Sequence, residues 1–492
     1  MASLKRSGIG RSEIERTEQQ SASLKRELRL PDLVLLQVLL IVGLPWIGYA
    51  AKLGGSHVVL WMAAIALFYF PLAGTVIYLS RRLPLEGGIY QWAKIGLSPF
   101  AGFQSAWNYS FFLILMYATS GSLVANSLSY LLGPDAAWMT SYKPLILGLN
   151  VAFFAIVLWV NVRGLHLARW ITSTGGALVI ALYALIIGLL VLRLWRGETL
   201  AQPTVTLVLP ALTLMTVNLF SKIAFNALSG FEQVAIFAGE CHTPERNIAR
   251  SVWIAGPGIA LLYILGTCAM LAYTPKDKID LIAPIAQILG ASLHASGTVA
   301  VPSGAAILAL LFAYFTQTVA CVAQVSRLPM VAGWDGLLPA WFSQLHPRFK
   351  TPVRSLLIVV AACVLFGALS LVQVGEQEAT QLLVGAGMAC SGMYYLTMFA
   401  VVLWGRLDGE HAPLWLKIGA CSAAGVTVLS VVLQVVPILD VAQPGIFAAK
   451  VGGGVTLINA AGVWVYRRRN PGGRLQPADP SADGTSRPSR LV

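Results

Sequence analysis

Residues 211–239 form a run of membrane-crossing length that holds groups such a run ordinarily lacks: Lys222, Asn226, the pair Ser229-Gly230, and Glu232. An ionised side chain at the centre of a spanning helix costs at least about 2.5 kcal/mol, so an ionisable residue there marks function by default. A Ser-Gly step between apolar turns lets a helix open and expose its peptide groups. Lipid tolerates that only where the backbone faces protein or a water-filled cavity. Desolvation disfavours the charged form of Glu232, which suits a carboxyl that takes up and releases a proton. The other use of such a residue is structural, as a carboxyl bonded to neighbouring backbone. Lys222 lies ten residues earlier, nearly three turns along an intact helix. Three uses fit it: drawing anionic groups into an outer vestibule, pairing with an acid, or snorkelling to the interface.

A second interruption lies five spans upstream, at Val42-Gly-Leu-Pro-Trp-Ile-Gly-Tyr49. Proline removes a donor and clashes with the preceding turn, and glycine loosens the backbone further. Broken hydrophobic segments at matching places in two halves point to a carrier built from inverted repeats. Each opened helix offers N–H groups that suit a carboxylate and carbonyls that suit an ammonium group. The residues placed at this site are Gly43, Trp46, Ile47 and Gly48, with Phe225, Asn226, Ala227, Ser229 and Gly230 opposite. Trp46 and Phe225 serve either as an aromatic gate or cation–π surface or as plain packing. Tyr314, Gln317, Cys321 and Gln324 make a polar stripe at three- and four-residue spacing, and Tyr117 follows Gln104 and Asn108 on another span. Such stripes line a pathway or hold helices together. Tyr314 is also a gate candidate, as are Glu240 and Arg246 at the inner exit, where loop ion pairs are the alternative.

These residues need elements to hold them, and composition says which. The 492 residues are 57% hydrophobic and 11% charged, with mean hydropathy +0.72. Soluble domains carry about 25% charged residues, so this is an all-α polytopic membrane protein. Windows of ~20 residues give twelve spans, at 32–53, 57–80, 100–132, 142–162, 166–194 and 211–239, then 248–273, 296–327, 354–371, 379–404, 412–436 and 445–465. Residues 1–31 form an N-terminal tail with no signal peptide, disordered apart from a short surface helix. A core follows over 32–405, then two further helices over 412–466 and a disordered tail over 467–492. Of the 34 Lys and Arg residues, 26 fall on the side of the termini and seven on the other, with Lys222 alone inside a span. That asymmetry puts both termini in the cytoplasm and the chain in the cell membrane. It also explains the net charge of +13 without nucleic acid.

Several classes are excluded. The six histidines all fall in loops or at span ends, so no cluster supports metal catalysis within the membrane. Cys268, Cys321, Cys363, Cys390 and Cys421 are scattered through apolar runs, with Cys241 in a loop, and form neither a metal site nor a disulfide framework. No phosphate loop or nucleophile elbow is present. The reading is therefore not an enzyme and needs no cofactor, with a membrane enzyme or scaffold as the out-of-class alternative.

The chain resembles the amino acid–polyamine–organocation permeases. The resemblance rests on the interrupted first span, on Pro84-Leu-Glu-Gly-Gly-Ile-Tyr-Gln-Trp92, and on Gly230-Phe-Glu232 with Ala238-Gly-Glu240 and Pro244-Glu-Arg-Asn247. Arg327 with Asp335-Gly-Leu-Leu-Pro339 completes it. It implies a five-plus-five inverted-repeat core with discontinuous helices 1 and 6, two added helices, and alternating-access transport. The cargo it implies is amino acids, by proton-coupled symport or exchange, with polyamines or other organic amines as the alternative. Three features depart from the family pattern. The first break is Gly43-Leu-Pro-Trp-Ile-Gly48 rather than a Gly-Ser/Thr-Gly type. Thr172–Val179 lacks the lysine some proton-coupled members carry in span 5. Ser326 is the one obvious hydroxyl on the inner part of span 8, which leaves sodium coupling little support. The expected partners are the small-molecule cargo and the bilayer; the sequence gives no oligomeric state.

Overall fold

The computed structural model describes residues 8–469 apart from 23, 25, 44, 282–283, 296–299, 372–375, 406, 408–409 and 438–442. The disorder expected of 1–7 and 470–492 falls outside these residues. Among them the chain is helical and holds no strand, only two isolated bridges.

In chain order, α1 (Gly8–Ser21) precedes α2 (Leu30–Ile41) and α3 (Trp46–Ala51). Next, α4 (His57–Ala64) and α5 (Phe70–Arg82) are joined by a π-helical turn, Ile65–Tyr69, and followed by the short α6 (Ile89–Gly96). The first half continues with α7 (Pro99–Tyr117), α8 (Ser120–Leu132), α9 (Lys143–Arg163), α10 (Leu165–Trp195) and α11 (Leu214–Ser221). The second contains α12 (Pro244–Tyr273), α13 (Pro284–Ala295), α14 (Ala300–Trp334), α15 (Val353–Ser370), α16 (Glu376–Trp404), α17 (Leu414–Leu433) and α18 (Pro444–Arg469).

Among the described residues, ten helical segments are long and apolar enough to cross a membrane. The two expected spans missing from that set are the first and the sixth, because neither is a continuous rod. After α2 the chain leaves helical geometry at Val42 and Gly43 and resumes at Trp46, where Pro45 cannot supply the donor an unbroken helix needs. After α11 comes a π-helical turn, Lys222–Ala227, then non-helical backbone to Glu232, then a 3₁₀ helix, Gln233–Glu240. Gly230 has φ +115°, a conformation that costs glycine little and other residues much.

The two broken segments lie inside the bundle. The α2 helix packs against α10 and α12, and α3 packs against α12 and the π-helical turn of span 6. Asp32 ties α2 to α10, accepting from Arg169 Nε at 3.1 Å. The apolar stretch of α16 is 72% buried and that of α18 only 22%, so α16 belongs to the interior and α18 to the lipid-facing rim. With twelve spans both termini share one face, called here the N-terminal face: Tyr466 packs edge-on to Phe100 and tilted against Phe103 at the start of α7, beside α6.

The segments around the spans also take definite form. The surface helix of the N-terminal tail is α1, but it is seated rather than free: Ile14 packs on the core and Thr17 is buried. A short helix, α13, stands between α12 and α14 on the opposite face. The eighth span runs further than expected, since α14 continues past Arg327 to Trp334.

Candidate functional site

Each break is braced by side chains from other spans. Gln317 on α14 donates from Nε2 to the Leu39 and Leu40 carbonyls, at 2.7 and 3.3 Å. Tyr263 on α12 donates its hydroxyl to the Ile41 carbonyl at 2.5 Å and accepts from the Gly43 N–H at 3.1 Å. In span 6 the Gly230 N–H donates to the Tyr395 hydroxyl at 2.7 Å. The helix-end groups that would be orphaned in lipid are thereby satisfied. Gln317→Leu should remove two of these contacts. An expected loss of about 1–3 kcal/mol for the stranded carbonyls would read as a lower melting temperature in detergent, and an unchanged melt would show that the brace is dispensable.

Between the breaks lies a cavity with about 110 Å³ open to the centres of water molecules, room for several waters. Spans 1, 3, 6, 8 and 10 all contribute to it. Its polar lining includes Tyr49, Tyr117, Asn226, Ser229, Gln233, Tyr314, Gln317, Cys321 and Thr380. Leu40, Phe112, Leu113, Met116, Val384 and Met388 supply apolar wall, and Leu281 marks its reach toward the opposite face. None of the lining residues is acidic or basic.

The sequence-predicted residues divide by helix geometry. Gly43, Trp46, Tyr117, Asn226, Ser229, Gln317 and Cys321 line the cavity, as does the gate candidate Tyr314. Successive helical residues turn by about 100°, so the neighbours of a lining residue face elsewhere. Ile47 is fully buried against Gly266, and Gly48 sits under Pro284 of α13. Phe225 is packed edge-on to Phe68 and Tyr395, with ring centroids at 5.5 and 5.3 Å, so of its two readings the structure gives packing. Ala227 is fully buried, and Gly230 makes the bend rather than the wall.

Glu232 is fully buried and does not line the cavity. Its two carboxyl oxygens accept from the Tyr394 and Tyr395 hydroxyls, at 2.8 and 2.6 Å. The carboxyl therefore holds the broken span 6 against α16. Lys222 is buried and does not snorkel. It is 6% exposed, and its Nζ donates to Gln434 Oε1 at 2.5 Å and to the Leu433 carbonyl at 3.3 Å. The Gln434 Nε2 passes the chain on to Asn226 Oδ1 at 3.2 Å.

The gate candidate Glu240 does form a buried ion pair, but not with Arg246, which is exposed on the first turn of α12. Its partner is Arg327 of α14, at 2.8 and 3.0 Å from Nη2 to the two carboxyl oxygens. Glu86, between α5 and α6, approaches the same guanidinium at 3.9 Å and accepts from the Gly239 N–H at 2.8 Å. Burial, reinforced by the Glu240 carboxylate, holds the Glu86 carboxyl well above its usual range. The Gly87-Gly88 pair makes this docking possible. Gly87 donates to the Ile236 carbonyl at 3.1 Å, and a Cβ at Gly88 would meet the Ala235 backbone at 2.8 Å. Nearby, Lys94 and Tyr90 of α6 bond Asp335, at 2.9 and 2.5 Å. These contacts close the N-terminal face beneath the cavity.

Sequence reasoning missed Tyr263, Tyr394, Tyr395, Gln434 and Glu86 as site-forming residues. The adjacent tyrosines were a usable signal, because a buried tyrosine hydroxyl in a span needs a partner. Gln434 carried a similar one, as an amide at the end of an apolar run.

Known proteins place this architecture. The sequence profile described as "Amino acid permease" matches residues 28–463. An uncharacterized transporter of Legionella pneumophila is 26% identical over 395 residues, covering 79% of this chain and 83% of that one. The low-affinity putrescine importer PlaP of Escherichia coli is 26% identical over 298 residues, covering 58% and 62%. The probable agmatine/putrescine antiporter AguD of Lactococcus lactis is 24% identical over 298 residues, covering 60% and 61%. Among solved structures, MhsT in complex with L-phenylalanine aligns with a TM-score of 0.58 at 13% identity, over 84% of this chain and 98% of that one, a likeness of fold. The profile match spans most of the chain: it belongs to the amino acid permease family, within the amino acid–polyamine–organocation superfamily.

Proposed function

We propose that this membrane transporter carries amino acids by alternating access, with its N-terminal face in the cytoplasm, as proton symporter or exchanger. The observation that carries the reading is the cavity bounded by both helix interruptions and lined by neutral polar and apolar groups. A zwitterion brings its own two charges and needs dipoles of both signs, which amides, hydroxyls and peptide groups supply. A diamine brings two positive charges and no compensating one, and this lining holds no carboxylate to meet them. The second reading, polyamine transport, is favoured by the relatives named for putrescine and agmatine and by the aromatic rings of Trp46, Tyr117 and Tyr314.

Uptake of labelled amino acids and of putrescine into proteoliposomes, with and without a pH gradient, decides between them. Amino acid uptake that diamines do not inhibit supports the first reading, and diamine uptake alone would replace it with the second. Coupling is proposed to run through Glu232, which joins the broken span 6 to two tyrosines of α16. Glu232→Gln should therefore flatten the dependence of uptake on the pH gradient. Retention of the wild-type dependence in that variant would remove Glu232 from the proton path.

A further inference from the structure

A second, smaller chamber shares Trp46, Tyr49, Asn226 and Val384 with the main cavity and extends to Lys222, Gln381, Gln434 and Phe447. Its room for water centres is about 30 Å³, enough for a group the size of one or two waters. Five elements meet there: α3, the π-helical turn of span 6, α16, the end of α17 and the start of α18.

Among the described residues, the basic group of this chamber has only neutral partners. The ammonium of Lys222 carries three donors, and its two partners are an amide oxygen and a peptide carbonyl, both neutral. Among the described residues no carboxylate lies within ion-pair distance of it. A buried charge is costly unless an opposite charge joins it. The protein pairs its other buried cations: Arg327 with Glu240 and Lys94 with Asp335. Gln434 holds Lys222 on one side and Asn226 on the other, so the ammonium is joined through a single amide to a residue of the cavity wall.

We propose that this chamber is an anion subsite of the transport pathway, in which Lys222 receives a carboxylate of the cargo. The proposal rests on the reading of the chain as a carrier and deepens it by naming the charge the cargo must bring. It also assigns a discriminating role: a basic group beside the cavity disfavours a diamine and favours any cargo with a carboxylate. The carboxylate comes either from the α-position or from an acidic side chain.

The test uses the full chain in proteoliposomes and four probes: L-leucine, L-leucinamide, L-glutamate and putrescine. Wild-type protein should favour leucine over leucinamide at least tenfold, in uptake or in competition. Lys222→Gln should lose most of that preference, and Lys222→Arg should keep it. Loss of preference for leucine and glutamate alike assigns the α-carboxylate, while loss for glutamate alone assigns the side-chain carboxylate; either supports the subsite. An unchanged leucine-to-leucinamide ratio, with glutamate uptake also unchanged, in Lys222→Gln overturns it, as does an equal fall for all four probes in both variants. Should Lys222→Gln fail to fold, melting shifts of the wild type decide: equal stabilisation by leucine and leucinamide, with none by glutamate, overturns the subsite. Failure of the amino acid reading looks different, because wild-type protein would then take up putrescine and neither amino acid.

Discussion

Replacing Arg327 with alanine is expected to open the N-terminal face and to raise the labelling rate of Cys241 by thiol reagents on the order of 100-fold. The guanidinium neutralises Glu240 directly and faces Glu86, and the three side chains are 7%, 5% and 0% exposed. Removing one partner of a buried pair costs about 3–5 kcal/mol, because the charge left behind has no compensation. Water entry is the relief available to the stranded Glu240 carboxylate and the Glu86 carboxyl beside it, and it requires the 3₁₀ segment Gln233–Glu240 to leave its seat. Cys241 reports on this directly. It is fully buried next to Glu240, and burial together with the nearby carboxylates holds its thiol well above the usual range. In the closed state it is therefore both shielded and unreactive.

Two controls separate opening from unfolding. Arg327→Lys retains the charge and should label at an intermediate rate. Adding Glu86→Gln to Arg327→Ala removes one stranded carboxyl and should recover part of the protection. Labelling of Arg327→Ala at the wild-type rate would show that the ion pair does not hold this face shut.

The same cluster sets a pH dependence whose sign follows from Glu86. Its carboxyl binds a proton more tightly in the closed face than it would in water. The resulting preference for closure is full below the ordinary carboxylate range and is lost as pH rises through the elevated value. Cys241 labelling should therefore accelerate with pH more steeply in the wild type than in Glu86→Gln, since thiol ionisation contributes equally to both. Parallel slopes would assign the pH response to another group.

Gly230→Ala is expected to lower transport at least tenfold while leaving the protein in the membrane. The backbone there sits at φ +115°, where an L side chain costs about 1–3 kcal/mol. The added methyl would also stand 3.0 Å from Ile41 and 3.1 Å from the Gln233 amide. Relief requires the break in span 6 to move against the break in span 1, the contact that shapes the cavity. Gly258, in α12, offers the matched control, since a Cβ there meets no atom within 4 Å. Gly258→Ala should transport normally and melt no lower than the wild type. Equal transport by both variants would mean that the bend at Gly230 tolerates a side chain and that span 6 is not held in one shape.

How much of this was legible in the chain depends on the distance over which each feature is encoded. The span count, the bundle class and the two interruptions are local properties. Hydropathy over a window of span length, a proline within four residues of a helix end and a glycine beside a serine all act through neighbouring peptide groups, so Gly43–Trp46 and Asn226–Gly230 could be marked without coordinates. Which of those residues face the cavity was not local. Trp46 and Ile47 are adjacent and similar in character, yet one lines the cavity and the other packs on α12, because orientation depends on where the partner helix stands.

Charged pairing was the least local of all. Glu240 has Arg246 six residues away in sequence, but it bonds Arg327, which the fold brings in from another span. Glu232 reads from sequence as a proton-exchanging or a backbone-bonded carboxyl, and two tyrosines more than 160 residues downstream bind it instead. Lys222 reads from sequence as a vestibule charge, an acid's partner or a snorkelling lysine, and Gln434 of a distant span holds it inside the protein. The sequence by itself determined where the helices run and where they must break, because peptide hydrogen bonding in lipid leaves few choices. Only the tertiary structure decided which charge meets which, because an ion pair forms across space between groups that no spacing rule connects.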